Sequence, residues 1–316
     1  MKAFECGFSA TQGERGYQED SAVVWPGQAT FAWNGVALPD PGAGHMVAVL
    51  ADGMGGHVDG ALASKTVCKA FLENYASSES ETHARLSATL DASNDRIADI
   101  VQNDPSMAGM GSTLVGVIFD EEGVQWVSVG DSPLYLYRRG EIALLNEDHS
   151  LAPVLDQLAA AGKITVEQAK SDPHRHMLRS AITGEGLDHI NISKQALSLE
   201  VGDYVIVASD GIHTLDIPKL VKIVSAEGQH GPLQLSEAIV REIDKQKEPY
   251  QDNAQLSPCA VEPENRCVIT FVCVALDFLR CASRLSIFQT TTTDLIRQRQ
   301  TYLLVLSSIE ILAKVQ

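Results

Sequence analysis

Three hydrophobic runs in this chain end in an aspartate. Met46-Val47-Ala48-Val49-Leu50-Ala51 gives way to Asp52-Gly53-Met54-Gly55-Gly56-His57, Trp126-Val127-Ser128-Val129-Gly130 to Asp131-Ser132, and Tyr204-Val205-Ile206-Val207-Ala208-Ser209 to Asp210-Gly211. A continuous apolar run bounded by glycine reads as a strand buried on both faces, and its last residues emerge where the sheet ends. A carboxylate placed there is held rigidly. Asp-Gly after a strand is also ordinary turn chemistry, so one such site carries little weight. The repetition points instead to acids gathered at one end of stacked sheets. Gly53, Gly55 and Gly56 allow the backbone to come close to a ligand, so that a main-chain carbonyl can serve as a further hard oxygen donor.

Around these runs the chain alternates between strands and helices in blocks. Residues 4–10 and 21–25 read as strands separated by the polar loop Thr11-Gln12-Gly13-Glu14-Arg15-Gly16-Tyr17-Gln18-Glu19-Asp20. Helical spacing of apolar residues predicts helices over 58–75 and 81–102. Short strands are expected over 112–119, 124–129, 134–137 and 141–145, with turns at Glu121-Glu122-Gly123 and Arg138-Arg139-Gly140. Such even spacing implies antiparallel pairing in a sandwich rather than repeated βαβ units. Residues 149–183 interrupt the strands with a helical piece near 151–161, and an insertion of this length is often a lid or substrate surface. Within it, His174-x-His176 lacks a third ligand nearby and reads as a solvated loop. Strands over 189–193 and 203–208 and helices over 218–225 and 233–247 lead to Asp252-Asn253.

The net charge of −17 makes nucleic acid an unfavourable partner. The six cysteines form no Cys-x-x-Cys pair, so reduced thiols are expected. The first residues lack the apolar core of a signal peptide, and a cytoplasmic protein without a membrane span is expected. Beyond residue 263 there is no proline, and residues 267–316 carry more basic than acidic side chains. The domain is therefore bounded at 1–266, with 267–316 an atypical C-terminal tail, a genuine appendage or the product of a frame error. The run 267–279 is too short for a membrane span and is expected to pack on the domain as a strand or helix.

A set of aspartates and glutamates without cysteine or well-spaced histidine is an all-oxygen site suited to Mg²⁺ or Mn²⁺. Crowded carboxylates repel one another unless cations neutralise them. Two ions about 3.5–4 Å apart can lower the pKa of a shared water and direct it at phosphorus, while a guanidinium holds phosphate oxygens bidentately. The ordered series Arg15-x-x-x-Glu19-Asp20, Asp52-Gly53-Met54-Gly55-Gly56-His57, Gly109-Met110-Gly111-Ser112-Thr113, Gly130-Asp131-Ser132, Ser209-Asp210-Gly211 and Asp252-Asn253 resembles the bacterial metal-dependent protein phosphatases of the 2C type.

That resemblance implies an α+β fold, a four-layer αββα sandwich of two mainly antiparallel sheets packed face to face with helices on both outer sides. It implies that Asp52 bridges two metals, that the Gly53 carbonyl ligates one, and that Glu19 serves the second with Asp20 orienting a water. Asp210 and Asp252 complete the first metal's shell, and Asp131 joins Asp210 in a weaker third site. Arg15 binds the substrate phosphate, and His57 is the candidate general acid beside its plain alternative of filling a helix start. Residues 149–183 correspond to the flap. The implied activity is hydrolysis of phosphoserine and phosphothreonine in proteins, opposing a Ser/Thr kinase. A degenerate phosphoprotein-binding module and a small-molecule phosphoesterase stand as alternatives. Pro133 stands where many relatives have arginine, and Ala254-Gln255-Leu256-Ser257-Pro258 follows Asp252-Asn253 where an apolar strand is usual.

Overall fold

The computed structural model describes residues 2–11, 18–26, 38, 45–55, 57–78, 80–245, 268–277 and 304–305. In chain order these form β1 (Lys2–Thr11), β2 (Ser21–Trp25), β3 (Met46–Ala51) and β4 (Gly53–Met54), then helices α1 (His57–Ser77) and α2 (Thr82–Asn103). Strands β5 (Gly111–Ser112), β6 (Leu114–Phe119), β7 (Val124–Val129), β8 (Leu134–Arg138) and β9 (Glu141–Leu144) follow. Next come α3 (Ala152–Ala160), α4 (Val166–Ser171), β10 (Asn191–Ile192) and β11 (Tyr204–Ala208). The last elements are α5 (Ile217–Glu227), α6 (Pro232–Lys245), β12 (Val268–Asp277) and β13 (Leu304–Val305).

One sheet runs β1-β12-β11-β8-β9, with β13 added on β12, and the other runs β10-β7-β6-β3-β2. Apart from the parallel β12–β13 contact, every ladder in both is antiparallel. The period of two decides which side chains meet. Ala48 and Leu50 of β3 face inward and join Val115, Val117 and Trp126 against Leu134, Leu136, Val205 and Val207 of the other sheet. Val47, Val49 and Ala51, the alternate residues of the same strand, pack outward against Val67, Phe71, Leu86 and Leu90 of α1 and α2. On the opposite outer face Tyr135, Ile206 and Ala208 meet Leu220, Val224, Leu235 and Ile239 of α5 and α6. The protein is thus a four-layer αββα sandwich, and a strand buried on both faces explains why β3 reads as an unbroken apolar run.

Local sequence sets the helix starts. The Asp216 side chain accepts a hydrogen bond from the Lys219 amide at 2.7 Å, capping α5, and Pro218 fits the first turn. Thr165 and Gln168 form a reciprocal capping box for α4, a helix not expected from the apolar pattern. Close packing of α1 on the sheet depends on Gly116 of β6. A Cβ there would lie 2.3–2.9 Å from the Phe71 ring.

One sequence expectation changes here and another is met. Arg138, read as part of a turn, is the last residue of β8 and is buried; the turn itself is Arg139 at φ 52° and Gly140 at φ 91°. The run 267–279, expected to pack on the domain as a strand or helix, does so as strand β12. It lies between β1 and β11, antiparallel to both, pairing Thr11 with Val268 and Ala208 with Thr270. Without it both neighbouring strands would present unpaired backbone groups at the centre of the sheet.

Candidate active site

The strand registers bring the acid-bearing loops to one end of the sandwich. Ser21 pairs with Ala51, so Asp20 and Asp52 each stand one residue beyond the same paired position. Leu50 pairs with Val115 and Leu114 with Val129, which places the end of β3, the start of β6 and the end of β7 side by side. The chain then leaves one sheet through Gly130-Asp131-Ser132-Pro133 and enters the other at Leu134, which pairs with Val207 of β11. Asp210 follows two residues after β11 and opens a single 3-10 turn, Asp210–Thr214. Asp131 therefore sits on the crossing between the sheets, between the strand end that carries Asp52 and the one that carries Asp210.

Hydroxyls tie these loops together. Asp52 donates its amide to Thr113 Oγ1 at 2.9 Å, and its carbonyl accepts from the Thr113 amide at 2.8 Å and from Ser112 Oγ at 2.9 Å. Thr113 Oγ1 in turn lies 2.7 Å from Ser132 Oγ, which links the Asp52 backbone to the residue after Asp131. The exchange explains why the expected strand over 112–119 is split. Thr113 bonds to Asp52 instead of continuing the ladder, and β5 pairs with β4 in a separate two-stranded piece.

Glu19 is buried beside α1. Its carbonyl accepts a hydrogen bond from Ser64 Oγ, which is also 2.9 Å from Ser21 Oγ. Two glycines make room for this approach. A Cβ on Gly60 would lie 2.5 Å from Glu19 Oε1, and a Cβ on Gly53 would lie 2.0 Å from the Gly60 carbonyl oxygen and 2.7 Å from that of Glu19. A carboxylate beside the first turn of a helix also meets the positive end of the helix dipole.

Asp20, Asp131 and Asp210 are buried, and Asp52 is partly so. The donor chemistry at this end is hard oxygen throughout, which fits Mg²⁺ or Mn²⁺. Among the described residues no three acids, histidines or cysteines converge within reach of one ion. Arg15 and Asp252 lie outside the described residues, as does the side chain of His57, which opens α1.

Sequence reasoning did not single out Ser64, Gly60, Asn146 or His149. Asn146 and His149 are polar, buried and in a loop, where no periodicity marks them. Burial, the largest influence, pulls the His149 pKa below its ordinary value, against the opposing charges of Glu147 and Asp148 and with those of His189 and Arg179. Tyr135, buried near the same loop, is pushed up to about 12 by desolvation, aided by Asp148. His174 and His176 are exposed, as expected of a solvated loop.

The family description "Protein phosphatase 2C" matches residues 37–255. The serine/threonine protein phosphatase PstP of Mycobacterium tuberculosis is 35% identical over 172 residues, covering 54% of this chain and 32% of PstP. This chain thus spans about a third of that relative's length. The protein phosphatase PhpP of Streptococcus pneumoniae is 33% identical over 175 residues, covering 54% of this chain and 68% of PhpP. The solved catalytic domain of PstP in complex with two manganese ions aligns with a TM-score of 0.59 at 25% identity, over 87% of this chain and 100% of that one.

Proposed function

The chain belongs to the protein phosphatase 2C family, and from that premise we propose that it hydrolyses phosphoserine and phosphothreonine in proteins at a centre holding two Mn²⁺ or Mg²⁺ ions. The observation that carries this reading is the convergence of four strand ends bearing Asp20, Asp52, Asp131 and Asp210 at one end of the sandwich, with Glu19 alongside. The ions, when bound, supply a water of lowered pKa and neutralise charge on the phosphoryl group.

The chain's own residues do the rest. Asp52 would be shared by the two ions, with the Gly53 carbonyl, Glu19, Asp210 and Asp252 completing their shells and Asp131 serving a weaker third position. Asp20 orients the attacking water, and Arg15 grips the phosphate oxygens as a fork. His57 delivers a proton to the departing serine or threonine oxygen. The protein acts in the cytoplasm on targets of a Ser/Thr kinase, and residues 149–183 form a flap against which the phosphoprotein docks.

The test is phosphate release from a phosphothreonine peptide with Mn²⁺, with Mg²⁺ and with chelator, run beside small phosphomonoesters. Metal-dependent release that favours the peptide is expected. Faster turnover of the small esters would move the assignment to a metabolite phosphoesterase. Tight peptide binding without release would make the protein a phosphoprotein-binding module.

A further inference from the structure

The loop that carries Asp131 is held by two side chains from the segment after β9. Gly130 donates its amide to His149 Nδ1 at 3.2 Å, and the His149 amide donates to the Gly130 carbonyl at 3.1 Å. Asn146 Oδ1 accepts from the Leu134 amide at 2.8 Å, and Asn146 Nδ2 donates to the Ser132 carbonyl at 2.9 Å. Pro133 has no amide proton, and its carbonyl accepts from Ala208 at 3.1 Å. The backbone from Gly130 to Leu134 is thereby clamped on both sides of Asp131. Gly130 itself, at φ 103°, takes a conformation that other residues rarely adopt, and a Cβ there would lie 2.6 Å from Thr113 Cγ2.

His149 meets this role at a cost to stability. Because Nδ1 accepts from Gly130, the ring proton resides on Nε2, and Nε2 is buried with no hydrogen-bond partner among the described residues. A buried donor left unmade is a cost that an apolar side chain of similar size would avoid. Buried polar atoms in this state call for an explanation outside packing. The same residue is also the root of the flap, since its carbonyl accepts from the Arg179 amide at 2.8 Å and the neighbouring Ser150 carbonyl from Arg179 Nε at 2.9 Å.

We propose that His149 is a positioning residue for Asp131. By accepting the Gly130 amide it fixes the direction in which the Asp131 carboxylate is presented, and it does not itself touch substrate. The inference rests on the proposed metal-dependent function and adds to it a residue that the acid motifs do not contain. Partners that orient metal ligands from outside typically change metal affinity by about 10–100-fold when lost.

The test compares His149→Leu, which removes the acceptor but fills the space, with His149→Asn, whose Oδ1 takes the place of Nδ1. Mn²⁺ binding to each protein is followed by calorimetry and by the electron paramagnetic resonance of the free ion, with a melting curve for each variant. His149→Leu is expected to weaken the lowest-affinity Mn²⁺ position about 10–100-fold, to leave the tighter positions within about twofold of the parent, and to melt near it. His149→Asn is expected to restore most of the loss. Should His149→Leu fail to fold, His149→Ala takes its place with the same outcomes. Parent-like binding in the acceptor-less variant overturns the inference, as does equal loss in His149→Leu and His149→Asn. A parent chain that binds no Mn²⁺ overturns the proposed function itself, a separate result from either.

Discussion

The two ends of the sandwich are held by different contacts. At the end away from the acid loops, Arg138 and Asp203 are both buried and joined at 2.7 Å, with Arg138 also donating to the Ser198 carbonyl at 2.9 Å. Glu200 lies 3.8 Å from Arg138 and is bonded to Arg139 at 2.9 Å. Cation and anion answer each other within the chain. At the acid end, hydroxyl, amide and imidazole groups hold the backbone of the loops that carry the carboxylates, through Ser112, Thr113, Asn146 and His149. The first arrangement serves the fold, because breaking a buried pair leaves an uncompensated charge. The second holds the backbone of the acid-bearing loops in place, the kind of rigid frame that the metal centre of the proposed function requires.

That contrast can be broken most forcefully at Asp52. Asp52→Asn is expected to lower metal-dependent turnover by at least about 100-fold, more than the loss of an outer partner would. In chelator its melting temperature should not fall below the parent's, since removing one of several neighbouring negative charges relieves repulsion. A large drop in melting temperature would place Asp52 with the structural charges instead. The converse substitution, Asp203→Ala, should cost about 3–5 kcal/mol in urea unfolding by stranding Arg138, while the folded protein keeps its Mn²⁺ affinity. A change in affinity would mean that the two ends are coupled.

Smaller effects sharpen the comparison. Gly116→Ala lies at neither end and should cost about 1–3 kcal/mol through overlap with the Phe71 ring, again with unchanged metal binding in the folded protein. His149 supplies a pH dependence. Its pKa is lowered in the folded chain from an ordinary value of 6.5, chiefly by burial, so the unfolded chain binds more protons below that value. Stability is therefore complete above about pH 6.5 and declines as pH falls towards the folded-state pKa. His149→Asn should flatten that decline in a series of melts. Within residues 149–183, Arg175 grips Asp156 through two hydrogen bonds of 2.8 and 2.9 Å, and the pair is substantially exposed on the Asp156 side. Asp156→Ala should change unfolding free energy by less than about 1 kcal/mol.

The acid end was legible in the sequence because its elements are local. A buried strand must be apolar on both faces, and the residue after it is fixed in space by the ladder, so the run before Asp52 announces both strand and site. The sandwich followed from the same runs and their short turns. What escaped notice depended on distant pairing. The run 267–279 read as a strand or helix packed on the domain, but the slot that β12 fills, between β1 and β11, is defined by partners far away in the chain. Arg138 beside Arg139 and Gly140 resembles a turn until Asp203 is placed opposite it. Asn146 and His149 carry no pattern at all. Their meaning lies in the amides they meet, although the Thr165-x-x-Gln168 spacing that caps α4 was visible and is a recognised start signal.

The central claim, that Asp52 anchors a two-ion centre on a frame that stands without it, is tested most directly by counting Mn²⁺ ions bound to the parent chain and to Asp52→Asn under identical conditions. The parent is expected to bind two ions tightly and Asp52→Asn neither, with the two proteins melting alike in chelator. Tight binding of both ions by Asp52→Asn would contradict the account.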